Sequence, residues 1–376
     1  MLERSANAVI LGPKGLHTPL KNGASAYFNY YWLRDNCPTS FDRQTRERTF
    51  DIFHEEEAPA PESAALDGDA LVIVWKRDGH VTRHALDFLA GYANGAPRPD
   101  PADLPRRAWY SDHYAKMARF WQSDLLQDTA QRAKWIEALL VEGVAIVTGM
   151  PDSDAGLTQT ARLIGHIRPT YWGEYFDVKT HINPDNLAYT AKALELHTDT
   201  PAEDMAPGMQ FLHCRANSVE GGASLFLDGV AAANDLRKAH PEDFALLIET
   251  LIPYYSEHDK YDVRSRQRVI ELDSHGEVSG VTISQHMADV FDLPQTFLDS
   301  YYPAFCRFGR LLQSDKYVMR FRLAAGECIV FDNHRIVHGR ASYTAESGDR
   351  HLRGCYTDRG EMRSAYRTLK GGGRFK

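Results

Sequence analysis

The apolar positions of this chain fall mostly into short runs at strand spacing, with one longer stretch at helical spacing. Early in the chain LVIVW (71–75) and VTRHAL (81–86) flank an Asp78-Gly79 pair, the arrangement of two strands joined by a tight turn. Later runs of the same kind are VAIVTG (144–149), MQFLHC (209–214), ASLFLD (223–228), YVMRFRL (317–323), ECIVFDN (327–333) and RHLRGCY (350–356). Ser123 precedes a segment in which Leu125, Leu126, Trp135, Ile136, Leu139 and Leu140 recur at helical intervals and which stops at Gly143. That pattern predicts one amphipathic helix over 124–143. Between the early and late parts, Pro97, Pro99, Pro101 and Pro105 force extended backbone and block helix propagation. They divide the chain into a small β-rich domain, residues 1–100, and a larger strand-rich domain, residues 106–376. Many strands at short intervals point to a closed or sandwiched sheet such as a jelly roll with flanking helices, rather than a doubly wound parallel sheet.

Composition narrows the class. The 376 residues are 43% hydrophobic and 25% charged, which fits a folded globular chain. Lys+Arg 43 against Asp+Glu 51 leaves a net charge of −8, so no general basic field exists for nucleic acid or an anionic membrane surface. The five cysteines are scattered without a CxxC pair, which argues against a disulfide framework and for a reducing, cytoplasmic location. No apolar run approaches the ~18 residues of a membrane helix, and the first twenty residues do not read as a signal peptide.

The chemistry concentrates in LELHTDTPAEDMAPG. His197 and Asp199 are two apart, so in extended backbone an imidazole and a carboxylate point the same way. A second His, His338, follows the ECIVFDN strand at a turn and can reach the first two across neighbouring strands. Two His and one carboxylate on one face of a metal form the triad of non-haem Fe(II) oxygenases, which leaves positions open for co-substrate and oxygen. His-x-Asp alone is a common tripeptide and carries little. Arg350, a guanidinium suited to a carboxylate, and the Ser224 hydroxyl supply what a dicarboxylate co-substrate needs. In a strand Arg353 faces away from Arg350, whereas Arg350 and Tyr356 share a face.

With HTD at 197–199, GGAS at 221–224, DNHRIVHGR at 332–340 and RHLRGCY at 350–356, the chain resembles the Fe(II)/2-oxoglutarate dioxygenases of the taurine dioxygenase superfamily. Within it, YYWLRDNCP (30–38) and HTDTP followed by PGMQFLHC resemble the γ-butyrobetaine and trimethyllysine hydroxylases. The resemblance implies a double-stranded β-helix catalytic domain and Fe(II) on His197, Asp199 and His338. It also implies 2-oxoglutarate at Arg350 and Ser224, with ascorbate as a stimulant and a homodimer as the assembly. Related halogenases replace the acidic ligand with a small residue, so Asp199 favours hydroxylation.

That subfamily holds a trimethylammonium group in an aromatic cage, where cation–π attraction replaces the hydrogen bonds that a quaternary cation cannot donate. By resemblance, Tyr189, Tyr356, Trp172 and Phe176 fall at or near cage positions, with Asn186 at the substrate's anionic end. Three departures qualify the transfer. Thr39 and Asp42 stand where the subfamily's first domain carries zinc-binding cysteines after Cys37, and His80 and His84 do not replace them, so no structural zinc is expected. Thr200 replaces an aromatic residue after the metal motif. The segment 280–291 lacks an asparagine pair and offers Ser284, Gln285 and His286 instead. These changes lean toward a phosphonate, 2-(trimethylammonio)ethylphosphonate, over γ-butyrobetaine, with another small acid such as a sulfonate as a further substrate candidate. A non-catalytic binder of quaternary ammonium would have no use for both a metal face and a dicarboxylate anchor. A zinc hydrolase would leave Arg350 without a role.

Overall fold

A computed structural model describes residues 8–95, 98–179, 190–258 and 260–371. The chain divides into two compact units, Met1–Pro99 and Asp100–Lys376.

The first unit holds two antiparallel three-stranded sheets: β1 (Ile10–Leu11), β2 (Gly15–Pro19) and β3 (Ser25–Asn29), then β4 (Pro61–Asp67), β5 (Ala70–Trp75) and β6 (Val81–Ala85). Helix α1 (Tyr30–Asp35) is capped by Asn29, and α2 (Leu86–Tyr92) follows β6. Leu16, Phe28, Leu33, Leu71, Ile73 and Leu89 make its core. The Trp75 N–H bonds to the His80 carbonyl, so the turn between β5 and β6 spans Lys76–Gly79, with Gly79 at φ +65°. That is longer than a two-residue turn, and glycine supplies the left-handed position that it needs. The Cys37 Sγ lies 3.1 Å from the Thr39 hydroxyl and 3.3 Å from His80 Nε2, a convergence of His80 on Cys37 that sequence spacing concealed. The His84 Nε2 instead sits 2.9 Å from the Leu33 carbonyl.

In the second unit the single helix expected over 124–143 is two. After β7 (Arg119–Trp121), α3 (Gln122–Gln127) ends where Asp128 becomes extended (φ −115°, ψ 113°), and α4 (Thr129–Glu142) begins anew. The Asp128 carboxylate accepts the Ala130 N–H at 2.7 Å, an N-cap that competes successfully with helix continuation. Gly143 closes α4 at φ +77° and leads directly into β8 (Val144–Thr148). Helix α5 (Asp154–Arg162) follows, then β9 (Phe176–Val178), β10 (Leu194–His197) and the long β11 (Met209–Asn217). Next come β12 (Glu220–Gly221), β13 (Ser224–Asp228) and helices α6 (Gly229–Ala239) and α7 (Pro241–Glu249). A pair of two-stranded sheets, β14 (Leu251–His258) with β15 (Tyr261–Arg268) and β16 (Ile270–Leu272) with β17 (Val278–Val281), precedes α8 (Gln295–Leu312). The chain then returns through β18 (Met319–Phe321), β19 (Cys328–Asp332), β20 (Ile336–Arg340), β21 (Tyr343–Thr344), β22 (Arg350–Thr357) and α9 (Arg359–Leu369).

Two sheets organise this unit. One has the order β7-β8-β19-β11-β22-β9, parallel only between β7 and β8, and the other the order β10-β20-β13-β18, all antiparallel. The near-continuous apolar runs have a simple cause: the larger sheet is buried on both faces. Val144, Ile146, Leu212 and Phe331 join Phe226 and Met319 of the smaller sheet in one cluster, whereas Ala145, Val147, Phe211 and Val330 pack with Trp135, Leu139, Leu157 and Tyr366 of the helices. The unit is therefore β-rich with mixed sheets, and its two facing sheets share a core. Among the described residues no helix is long and apolar enough to cross a membrane.

Candidate metal and co-substrate site

Strand pairing brings the two candidate imidazoles together. His197, the last residue of β10, lies opposite His338 in β20, and Phe226 of β13 lies beyond His338 in the same row. The Asp199 Oδ1 sits 3.1 Å from His197 Nε2 and 3.6 Å from His338 Nε2. One ligand atom from each of the three lies within 4.8 Å of the others.

Their protonation follows from their surroundings. The Glu195 carbonyl, 2.8 Å from His197 Nδ1, can only accept, so Nδ1 carries a proton and Nε2 is turned toward the centre. Burial, helped by the nearby His197, holds the His338 pKa down at about 3 and so keeps its imidazole neutral. Burial works to raise the Asp199 carboxyl, but His338, His197 and the hydrogen bond from Tyr356 outweigh it and hold the group well below the usual carboxylate range. Two imidazoles and one carboxylate, buried and converging, are the donor set of an octahedral divalent iron site, and they fit such an ion.

The backbone of HTDT is clamped from two sides. Asn333, 1% exposed, accepts the Asp199 N–H at 2.7 Å and donates to the Asp199 and Pro207 carbonyls at 3.1 Å each. The Thr198 N–H donates to the Ile283 carbonyl, and the Ile283 N–H to the Thr198 hydroxyl. Thr200 follows at φ +51°, a conformation unusual for a β-branched residue and held only because its neighbours are fixed.

A cavity of about 920 Å³, counting its open mouth, adjoins the triad. Ser224, Arg350, Trp172, Phe176 and Tyr356 line it. Arg350 is buried, and its Nε and Nη1 have no protein partner; burial, with Arg340 close by, lowers its pKa only to about 10, so it stays a cation. A buried guanidinium with unsatisfied donors is a receptor for a carboxylate. Arg353 lies elsewhere, paired with Asp177 at 2.7 Å and Asp154 at 3.0 Å. Ser284 is a correction: it is buried but absent from the cavity wall, its hydroxyl 3.4 Å from His286 Nδ1, while His286 and Met287 reach the wall in its place. Tyr189 and Asn186 lie outside the described residues. Sequence reasoning also missed Tyr171 and Gln210, which line the cavity, the Gln210 Oε1 buried and without a hydrogen-bond partner among the described residues.

Comparison with known proteins identifies this arrangement. A profile of the taurine catabolism dioxygenase TauD, TfdA family matches residues 113–356. The chain belongs to the TauD/TfdA dioxygenase family. It is 32% identical over 361 residues to the γ-butyrobetaine dioxygenase of Pseudomonas sp. strain AK-1, covering 95% of this chain and 94% of that one. The human γ-butyrobetaine dioxygenase is 29% identical over 90% of both chains, and the mitochondrial trimethyllysine dioxygenase of Rattus norvegicus 27% identical over 91% and 82%. Among solved structures, a non-haem iron oxygenase crystallised with Fe, succinate and (3S)-hydroxy-L-Arg is 14% identical, with a TM-score of 0.49 over 63% of this chain and 84% of that one. This TauD/TfdA member is an Fe(II)- and 2-oxoglutarate-dependent dioxygenase.

Proposed function

We propose that this dioxygenase hydroxylates an unactivated C–H bond of a trimethylammonium zwitterion, 2-(trimethylammonio)ethylphosphonate or γ-butyrobetaine, with succinate and CO2 as co-products. The aromatic lining of the cavity carries the reading: Trp172, Phe176 and Tyr356 share it with the triad. Ring faces attract a quaternary cation, and this wall supplies them beside the metal site. The names of the curated relatives, γ-butyrobetaine and trimethyllysine dioxygenase, point to the same class of substrate.

In this reading the two facing sheets are a double-stranded β-helix. His197, Asp199 and His338 hold Fe(II), which when bound supplies the oxidising chemistry that 2-oxoglutarate decarboxylation drives. Arg350 takes the far carboxylate of 2-oxoglutarate, and Ser224 assists; the pairing of Ser224 with Arg340 across β13 and β20 fixes the hydroxyl at that end. The aromatic wall orients the cationic end of the substrate, and Phe226 and Leu212 keep the floor dry. Of the segment 280–291, His286 rather than Ser284 reaches the wall and is the group there that can contact the substrate's anion; the departure of this segment from the γ-butyrobetaine hydroxylases favours the phosphonate.

Two comparisons test this. A higher kcat/KM for the phosphonate than for γ-butyrobetaine is expected, and the reverse order overturns the phosphonate assignment. A neutral tert-butyl isostere should bind at least tenfold more weakly than its trimethylammonium parent; equal binding reduces the cage to a hydrophobic pocket.

A further inference from the structure

The acidic member of the triad has two oxygens, and they are treated differently. Oδ1 faces both imidazoles, whereas Oδ2 accepts a hydrogen bond from the Tyr356 hydroxyl at 2.6 Å. A carboxylate turns easily about its last side-chain bond, so nothing in Asp199 itself decides which oxygen, or whether both, faces the centre.

Tyr356 is held for this task. It lies in β22 opposite Gln210 of β11, and its ring is stacked on Phe176 with centroids 5.1 Å apart and planes at 27°. Phe176 in turn occupies the space over Gly354: a Cβ there would stand 2.2 Å from the ring, so only glycine lets Phe176 lean against Tyr356. On the other side of the join, Asp177 receives Arg353 at 2.7 Å and His351 at 2.6 Å, which pins β9 to β22. The aromatic wall and the acidic ligand are thereby one mechanical unit.

We infer that Tyr356 is a positioning residue for the metal: its hydroxyl holds Asp199 Oδ2 so that Oδ1 alone is presented, leaving room beside the ion for co-substrate and oxygen. This goes beyond a cage role, for which the ring suffices, and it rests on the reading of Asp199 as a metal ligand. The two roles separate chemically, since Tyr356→Phe keeps the ring and removes the hydroxyl, while Tyr356→Leu removes both.

The test is a Mn(II) titration by calorimetry of the wild-type protein and both variants, with folding checked by circular dichroism, alongside binding of a trimethylammonium compound without metal. Orientation of ligating carboxylates is typically worth 10–100-fold in metal affinity. Y356F and Y356L should both bind Mn(II) ten- to a hundredfold more weakly, whereas the trimethylammonium affinity should fall only in Y356L. Unchanged Mn(II) affinity in a folded Y356F or Y356L overturns the inference while leaving the metal site intact. Failure of the wild type to bind Mn(II) overturns the triad assignment itself, and the inference with it.

Discussion

Removing the guanidinium of Arg335 should cost the catalytic unit more than any exposed substitution, because of what it leaves behind. Arg335 is 2% exposed and immediately precedes β20, three residues before His338. Its Nε and Nη2 donate to the two oxygens of Asp228 at 3.1 and 2.7 Å, and its remaining bonds go to the Val141 and Arg107 carbonyls at 2.8 and 2.6 Å. Asp228 is 1% exposed and also caps α6, accepting the Val230 and Ala231 N–H groups at 3.1 and 3.2 Å. Arg335→Met therefore strands a buried carboxylate and two carbonyls. Breaking a buried pair from one side costs about 3–5 kcal/mol, whereas removing both charges is far cheaper. Urea unfolding followed by tryptophan fluorescence should show that loss for R335M. The double variant D228N/R335M, which keeps an acceptor for the α6 cap, should regain roughly half of it. If R335M lies within about 1 kcal/mol of wild type, or the double variant is worse than R335M alone, the account of an uncompensated buried charge is wrong.

Three further outcomes follow from the site and its supports. Arg350→Ala should weaken 2-oxoglutarate about a hundredfold or more, since two charge-assisted bonds at ~1.5–3 kcal/mol each are lost; an unchanged 2-oxoglutarate KM would move the anchor elsewhere. Asn333→Ala, which frees the Asp199 backbone, should weaken Mn(II) binding about ten- to a hundredfold; calorimetry showing wild-type affinity refutes the clamp. His213 is fully buried with neither ring nitrogen partnered, and burial, then the neighbouring Arg215, holds its pKa at about 4. Between pH ~6.5 and about 4 the unfolded chain binds the proton and the folded one does not, so stability falls as pH drops through that window, by up to ~3 kcal/mol from this group. His213→Leu should flatten that slope in pH-dependent urea melts, and an unaltered slope assigns the acid sensitivity to other groups.

Much of this was legible in the sequence because strand alternation and turn chemistry are local. The strands that carry Ser224 and Arg350 could be read from apolar runs bounded by glycine or aspartate, and a two-residue spacing placed His197 and Asp199 on one side. His338, expected at a turn after ECIVFDN, lies instead within a strand of its own, β20. What escaped depends on contacts between distant segments. The helix over 124–143 breaks at Asp128 because one carboxylate bonds a backbone N–H two residues on, a local choice that periodicity does not record. Asn333 reads as an ordinary turn residue until its amide is seen 134 residues away on Asp199. Tyr356 reads as a cage aromatic, yet its hydroxyl acts on the metal side. His80 approaches Cys37 only after β5 and β6 have folded back. Ser284 looked suited to an anion by residue type, but its backbone turns the hydroxyl toward His286 rather than the cavity.

The central claim is that one buried His-Asp-His face and one buried arginine couple 2-oxoglutarate decarboxylation to hydroxylation of a trimethylammonium zwitterion. Its most direct test measures succinate and hydroxylated product together, with Fe(II), ascorbate and 2-oxoglutarate, across a panel of trimethylammonium phosphonates and carboxylates. The account predicts equal amounts of both products for at least one panel member, and none in a folded His197→Ala or Asp199→Ala variant. Substrate-independent succinate release across the whole panel, or full turnover in either variant, would contradict it.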